Sequence, residues 1–289
     1  MPHAQVGALR LFHRDSGAAS NHETVLFLSG MGTDHTAWAS QARALSDAYR
    51  TITYDHRDIG QSSLAGGPYT IADLADDAVG LLNVLGTEMA HCVGWSMGGA
   101  VAQELALRHP SRVRTLALVA TYTSSDPRGD TRMRSWATLR RRLTPEEFAQ
   151  VTWPWVYTVA DYGRPGFIDQ TLARILASPY RQPDEAYARQ VEAVLSHHTE
   201  GRLGAIAVPT LLLFGDEDIL TPPARFAEAL RAEVPQATLL TIAGAGHGLI
   251  WTHAEAVTAV LRGWLSEVST LTSGRLNKKP LASGVSTLP

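Results

Sequence analysis

The sequence predicts an α/β protein: a doubly wound, mostly parallel sheet with a helical segment inserted into it. Over residues 1–121 short apolar runs alternate with helical patterns. The alternation stops over residues 122–201 and resumes over residues 202–268. Parallel strands need a crossover between them, usually a helix, so the stretches on either side of the insertion are expected to share one sheet.

The strands are predicted from short runs of apolar and β-branched residues that end at turn-forming residues. Residues 14–17, Arg-Asp-Ser-Gly, supply such a turn between the first two runs. The predicted strands comprise residues 9–13, 24–28, 50–54, 91–95, 113–119, 208–214 and 237–242.

Among the helices, the clearest pattern covers residues 71–85. Apolar residues recur there on one face, and Gly86 follows the last turn. That face consists of Leu74, Ala78, Leu81, Leu82 and Leu85. Further helices are predicted over residues 36–48, 97–108, 145–156, 184–197 and 253–268.

The middle of the chain differs from the rest. Residues 122–201 show several helical stretches and many aromatic residues but no convincing strand, and we interpret them as a helical cap. The sheet domain then comprises residues 1–121 and 202–268. Residues 269–289 are mostly small and polar, and we expect a flexible C-terminal tail there.

Composition and charge exclude several classes of protein. Of 289 residues, 45% are hydrophobic and 18% are charged, which is typical of a globular chain. The formal net charge of -3 gives no general attraction to nucleic acid or to anionic membranes. The single cysteine, Cys92, cannot form an intramolecular disulfide.

The N-terminal residues do not read as a signal peptide, and no run reaches the roughly 18 apolar residues that a membrane span needs. We therefore expect a soluble, cytoplasmic protein, a monomer or homodimer, whose partner is a small-molecule substrate.

Residues 94–98, Gly-Trp-Ser-Met-Gly, match a nucleophile elbow, in which a serine lies on a sharp turn between a strand and a helix. The turn imposes strained backbone angles on Ser96 and brings strand and helix so close that Gly94 and Gly98 must lack side chains. A predicted strand precedes the motif and a predicted helix follows it. Ser96 is therefore the predicted nucleophile.

A serine hydroxyl needs a base to remove its proton, and the base needs an acid to orient it. In this arrangement each should follow a later strand, with the acid first. The loop after residue 214 offers Asp216, Glu217 and Asp218, and the loop after the last strand offers His247 between two glycines. His247 is the predicted base, while the acid remains open between the carboxylates at this point.

Acyl transfer also requires an oxyanion hole, built from backbone N–H groups aimed at the developing negative oxygen. The N–H of Met97, which opens the helix after the elbow, is one predicted donor. The glycine-rich loop at residues 29–32, Ser-Gly-Met-Gly, follows an early strand and supplies the second donor, which we assign to Met31.

Together these motifs resemble the α/β-hydrolase superfamily, in particular serine-nucleophile members with a helical cap, over about residues 5 to 268. Two further features belong to the same pattern: Trp38, downstream of the oxyanion loop in the sequence, and the turn at residues 55–62, Asp-His-Arg-Asp-Ile-Gly-Gln-Ser. The resemblance implies an esterase or lactonase that needs no cofactor. In the family motif the acid lies three residues after the glycine, which selects Asp218 over Asp216.

Two residues depart from the family pattern. Ser29 stands where members commonly carry histidine, which should matter little because the oxyanion donor is a backbone N–H. Asp58 stands where glycine is usual. That variant resembles some esterases that act on polyketide-derived compounds, and it hints at natural-product chemistry.

Four residues near the expected cleft are predicted to bind substrate, namely Gly30, Trp95, Trp153 and Trp155. Gly30 belongs to the oxyanion loop, and Trp95 precedes the nucleophile. For the two cap tryptophans an equal alternative is that they anchor the cap to the sheet domain.

Other polar clusters receive a plainer interpretation. His197, His198 and His253 lack carboxylate or cysteine partners at ligand spacing, so no metal site is expected. Arg132, Arg134 and the run Arg140, Arg141 and Arg142 are either an anion-binding patch or a solvated helix face, and we expect the latter.

The expected reaction is hydrolysis of a carboxylic ester or lactone of a small hydrophobic molecule through an acyl-enzyme. Within the superfamily, thioesterases, carbon–carbon bond hydrolases and perhydrolases are alternatives on the same triad. Haloalkane dehalogenases and epoxide hydrolases are disfavoured, because they carry aspartate at the nucleophile position. A small-ligand sensor on the same fold is an alternative of another class.

Overall fold

One sheet forms the centre of the computed structural model, which describes residues 2–17, 23–272 and 285–286. In chain order its strands are β1 (His3–Val6), β2 (Leu9–Asp15), β3 (Thr24–Leu28), β4 (Arg50–Tyr54), β5 (Ala90–Trp95), β6 (Val113–Val119), β7 (Thr210–Gly215), β8 (Thr238–Ile242) and β9 (Val285–Ser286). Their spatial order is β1-β2-β4-β3-β5-β6-β7-β8-β9. The strands from β4 across to β8 are parallel, and β1, β2 and β9 pair antiparallel.

Helices connect the strands. They are α1 (Ala39–Leu45), α2 (Ile71–Val84), α3 (Met97–Arg108), α4 (Pro127–Arg140), α5 (Pro145–Thr152), α6 (Val159–Gly163), α7 (Phe167–Leu176), α8 (Asp184–Leu195), α9 (Pro223–Glu233), α10 (Leu249–Thr252) and α11 (Ala254–Thr272). Within the part of the chain that the structure describes, no helix has the length and hydropathy needed to cross a membrane. The predicted fold class, a mostly parallel sheet between helices, is confirmed.

Both faces of the sheet are covered, which explains why its strands are nearly continuous apolar runs. In β3, Leu26 and Leu28 pack on the side of α2, α3 and α9, whereas Val25 and Phe27 pack on the side of α1 and α11. The two faces therefore bury alternate residues of the same strand.

The first strand was not predicted. β1 has four residues, of which Ala4 is buried, so it shows no apolar run. It pairs with β2 through a turn at Gly7, whose φ of 55° lies in the left-handed region that favours glycine.

The end of the chain differs from the flexible tail predicted for residues 269–289. α11 continues to Thr272, and residues 285–286 pair with β8. The other residues of that segment lie outside the described part of the chain.

α4 to α8 lie between β6 and β7, where the sequence predicts a helical cap. The two chain ends of this insertion are adjacent, because the N–H of Thr199 donates to the carbonyl of Thr123 at 2.9 Å. We keep the name cap for residues 122–201, whose limits stay a prediction.

An ion pair joins the cap to the sheet domain. Asp58 is fully buried, and its carboxylate accepts two hydrogen bonds, of 2.8 and 2.9 Å, from the guanidinium of Arg189 on α8. It also accepts the N–H of Ala65 at 2.7 Å. Asp58 has a φ of 69°, so the family's usual glycine would be less strained here. The departure at Asp58 thus supplies a contact between cap and sheet domain that glycine lacks.

We expect Arg189→Gln to lower the free energy of unfolding by about 3 kcal/mol, because it leaves the Asp58 carboxylate buried without a counter-ion. Asp58→Gly should cost less, since it removes the buried charge and relieves the left-handed strain. Urea unfolding measures both values.

The control is Arg134→Gln, which breaks an exposed ion pair with Glu192 and should cost less than about 1 kcal/mol. A greater loss for Asp58→Gly than for Arg189→Gln would contradict this interpretation.

Candidate active site

Ser96 lies on the turn between β5 and α3 with φ 55° and ψ -120°, a left-handed conformation that is strained for any residue but glycine. The turn holds it there: its N–H donates to the carbonyl of Val119 at 2.9 Å, and its carbonyl accepts the hydroxyl of Thr121 at 2.7 Å. A methyl group on Gly94 would overlap the carbonyl of Gly98, and one on Gly98 would overlap the carbonyl of Leu28. The crowding expected of the elbow is therefore present.

Three side chains form a continuous line of hydrogen bonds. The Oγ of Ser96 lies 2.9 Å from Nε2 of His247, and Nδ1 of His247 lies 2.9 Å from Oδ2 of Asp218. His247 is 3% exposed and Asp218 also 3%, so both are shielded from bulk water. The structure thus brings together the predicted nucleophile, base and acid.

Asp218 is held in its ionised form. Its carboxylate accepts the N–H groups of Leu220 and Thr221, each at 2.8 Å, and the hydroxyl of Thr221 at 2.6 Å. Burial raises the pKa of this carboxyl, but the neighbouring His247 and the hydrogen bonds from Thr221 outweigh burial, so the net pKa of Asp218 is below its usual value. A charged acid is the form that stabilises an imidazolium on His247.

The alternative acids face elsewhere. Asp216 is exposed, and its carboxylate accepts the N–H of Gly244 at 2.7 Å, which fixes the adjacent turn. Glu217 is also exposed. Geometry therefore agrees with the selection of Asp218.

The loop at residues 29–32 lies beside the elbow. Gly30 packs so closely on the ring of Trp95 that a side chain would overlap it. The N–H of Gly32 donates to Oε1 of Gln190, a buried side chain of α8, at 3.0 Å. Across residues 2–17, 23–272 and 285–286, no hydrogen bond uses the N–H of Met31 or of Met97. Both predicted oxyanion donors are thus available to a ligand.

A cavity of about 1060 Å3 lies between the cap and the sheet domain, and Ser96 and His247 lie in its wall. This volume accommodates a drug-sized molecule. Much of the wall is apolar or aromatic and comes from both parts of the protein, including Met31, Trp95, Trp136, Phe148, Trp153, Tyr157, Tyr187 and Trp251.

The residues predicted to bind substrate divide into two groups. Trp95 and Trp153 line the cavity, whereas Gly30 and Trp155 do not. Trp155 instead packs in the cap beneath the guanidinium of Arg132. Trp95 has a second contact: its indole N–H donates to the carbonyl of His247 at 2.9 Å and so supports the loop that carries this histidine.

The expectation of a solvated arginine face is wrong for two residues. Arg132 and Arg140 are half-buried and line the cavity, whereas Arg134, Arg141 and Arg142 are exposed. The structural reason is the register of α4, which turns Arg132 and Arg140 towards the cavity and Arg134 away from it.

Asp34, His35 and Asp55 are a group within the described residues whose ligand atoms lie close enough for a metal ion. Their atoms already have partners. Asp55 accepts the backbone N–H of His35 at 2.7 Å and of Gln61 at 2.8 Å, and Asp34 accepts the N–H of Thr36 at 2.9 Å. These contacts explain the group as support for the loops beside the site.

Sequence reasoning missed two supporting residues. Thr221 follows Asp218 by three positions, and its hydroxyl donates to the Asp218 carboxylate. A hydroxyl at this spacing after a carboxylate is a local pattern that could have predicted the contact. Gln190 reaches the oxyanion loop across 158 positions of sequence, and no local pattern indicates such a contact.

A family model described as alpha/beta hydrolase fold matches residues 23–254. The chain belongs to the α/β-hydrolase family. The fold and the superfamily expected from the motifs are thereby confirmed.

Several known members of this family are similar to the chain. The proposed carbamate hydrolase RutD of Caulobacter sp. strain K31 is 32% identical, covering 89% of this chain and 96% of its own length. A thermophilic esterase from Thermogutta terrifontis, solved with malate bound, has a TM-score of 0.80 at 31% identity and covers 92% of this chain and 96% of its own. The enol-lactonase from Burkholderia xenovorans LB400 has a TM-score of 0.83 at 29% identity, covering 92% of this chain and 100% of its own. They agree with the expected enzyme class, a hydrolase of ester-type bonds.

We expect Asp218→Asn to lower kcat about a thousandfold or more, because asparagine neither favours the required imidazole tautomer nor stabilises the imidazolium. Asp216→Asn is the matched control. Its amide oxygen can still accept the N–H of Gly244, so kcat should change less than about threefold. Steady-state hydrolysis of a nitrophenyl ester measures both, and equal losses in the two variants would refute the assignment of Asp218.

Proposed function

We propose that this α/β-hydrolase cleaves a carboxylic ester or lactone of a small, largely hydrophobic molecule through an acyl-enzyme on Ser96. The observation that carries the proposal is the line of hydrogen bonds from Ser96 through His247 to Asp218 beside an apolar cavity. A nucleophile, a base and an orienting acid in this geometry are the groups that acyl transfer requires.

In the first half of the reaction, His247 accepts the proton of the Ser96 hydroxyl as the serine oxygen attacks the substrate carbonyl. Asp218 fixes the imidazole and stabilises its cation. The N–H groups of Met31 and Met97 donate to the oxyanion of the tetrahedral intermediate. His247 then protonates the leaving alcohol, and the acyl group stays on Ser96.

In the second half, His247 removes a proton from water, and the resulting hydroxide attacks the acyl carbonyl. The tetrahedral intermediate collapses, Ser96 recovers its proton from His247, and a carboxylic acid leaves. With a lactone, the alcohol and the acid belong to the same product.

The cap contributes to selection of the substrate. Trp153 and Tyr157 from the cap and Trp95 and Trp251 from the sheet domain line the cavity. Rings of this kind suit the apolar body of a substrate, and a natural product is one such molecule. We further propose a cytoplasmic monomer or homodimer whose partner is this small molecule.

Carbamate hydrolysis is the second candidate, because relatives at 28–32% identity carry the name carbamate hydrolase RutD. The same serine attack would serve, with a carbamoyl group in place of the acyl group. The cavity of about 1060 Å3 favours a larger substrate than simple carbamate. Comparing nitrophenyl esters with nitrophenyl carbamates discriminates the two candidates.

We expect Ser96→Ala to lower kcat/KM on short nitrophenyl esters by about 10,000-fold or more, because no nucleophile remains. The same change should abolish labelling by a fluorophosphonate probe. Hydrolysis assays and mass spectrometry of the labelled peptide measure the two effects.

Ser40→Ala is the control, since Ser40 also lines the cavity but has no part in the proposed mechanism. Retention of most activity in Ser96→Ala would exclude the mechanism. Rapid labelling of Ser96 without turnover of any ester or carbamate would favour the small-ligand sensor instead.

A further inference from the structure

The cavity wall is positively charged, although the chain has a net charge of -3. Among the described residues the wall includes two aspartates, Asp34 and Asp126, and neither lysine nor glutamate. Its arginines are Arg128, Arg132, Arg140, Arg174, Arg181 and Arg225. Arg132 and Arg140 are half-buried, and the other four are exposed.

Arg132 is half-buried and lacks a polar partner, unlike Arg140 and Arg225 in the same wall. Arg140 has an ion pair with Asp184 and donates to the carbonyl of Gln182 at 3.0 Å. Arg225 pairs with Asp126. Over the residues that the structure describes, Arg132 makes neither an ion pair nor a hydrogen bond, and its Nε is buried.

Aromatic rings take the place of a counter-ion. The guanidinium carbon of Arg132 lies 4.9 Å from the ring centroid of Trp155 and 5.9 Å from that of Trp136. Stacking on a ring uses a face of the guanidinium and leaves the in-plane N–H groups free for a planar, bidentate acceptor. Burial lowers the pKa of Arg132, yet an arginine stays protonated, so the cation persists although no carboxylate of the described residues is in ion-pair contact with it.

The register of α4 explains this placement. Arg128, Arg132, Trp136 and Arg140 recur every four residues and line the cavity together. Arg134 lies on the other side of the helix, exposed and paired with Glu192. One helix thus carries a cation facing the cavity and a matched cation facing solvent.

We propose that Arg132 binds a carboxylate of the substrate, so that the substrate is an ester or lactone carrying a second, ionised acid group. This proposal rests on the proposed function for the reaction itself. A carboxylate has one negative charge and two oxygens, which match the single positive charge and the paired N–H groups of the guanidinium. The apolar wall around the pair strengthens the attraction.

The position of Arg132 suits such a substrate. Met133, next to Arg132, packs in one hydrophobic cluster with Leu220 and with Met31 of the loop beside Ser96. Leu220, close to Asp218 in the chain, and Met133, next to Arg132, both line the same cavity. One small molecule can therefore present a carbonyl to Ser96 and a carboxylate to Arg132.

The test compares nitrophenyl monoesters of glutaric, adipic and pimelic acid with neutral nitrophenyl esters of the same chain lengths. The readout is the ratio of kcat/KM for the charged ester to that for the neutral one, at the chain length that the wild type prefers. We expect Arg132→Gln to lower this ratio by about 10- to 100-fold, the loss of a hydrogen-bonded charge. Arg132→Lys, which keeps the charge but not the fork, should give an intermediate ratio.

Arg134→Gln is the matched control and should leave the ratio as in the wild type. An unchanged ratio in both Arg132 variants would overturn the proposal, as would an equal fall in Arg134→Gln.

Binding of free adipate to the Ser96→Ala protein, measured by calorimetry, separates this proposal from the proposed function. We expect binding that falls about 10-fold or more when Arg132→Gln is added. If Ser96→Ala kept its esterase activity, the proposed function would fail while this binding result still decided the role of Arg132. Adipate that binds equally with and without Arg132 would overturn the carboxylate site.

Discussion

The close approach of backbone around Ser96 is the constraint on which the site depends. Gly94 and Gly98 allow β5, α3 and the loop after β3 to meet there, and the turn holds Ser96 at φ 55°. The same crowding places the N–H of Met97 at the start of a helix, where its partial positive charge favours an oxyanion. Backbone strain at Ser96, of about 1 to 3 kcal/mol, is the cost of presenting its oxygen to His247.

The cap contributes to the site through two of its helices. On α8, adjacent residues reach the sheet domain: Arg189 pairs with Asp58, and Gln190 accepts an N–H from the oxyanion loop. On α4, the face that carries Arg132 closes one side of the cavity. The position of the cap, the placement of the loop at residues 29–32 and the charge of the cavity are therefore linked physically, because the same inserted segment contacts or supplies each of them.

Local patterns predicted most of the sheet and the proximity of Ser96, His247 and Asp218, because a buried parallel strand is a continuous apolar run and an elbow has fixed spacing. β1 was not predicted, because Ala4 is its single buried residue and the strand shows no apolar run. Contacts between distant segments were not predicted either. The hydrogen bond between Gly32 and Gln190 depends on the tertiary fold, and no local sequence pattern indicates it. Neighbours in sequence also took different environments. Arg132 lines the cavity and Arg134 faces solvent. The spacing of four residues places Arg132 and Trp136 on one face of α4, but the sequence does not indicate that this face lines the cavity.

The most direct test of the account is to trap the covalent intermediate. Enzyme mixed with a nitrophenyl ester, quenched in acid during the first turnovers and digested, can be mapped by mass spectrometry. The account predicts the mass of the acyl group on the peptide that contains Ser96, together with a burst of nitrophenol. Turnover with the acyl group on another residue, or with no covalent adduct under conditions that give a burst, would contradict it.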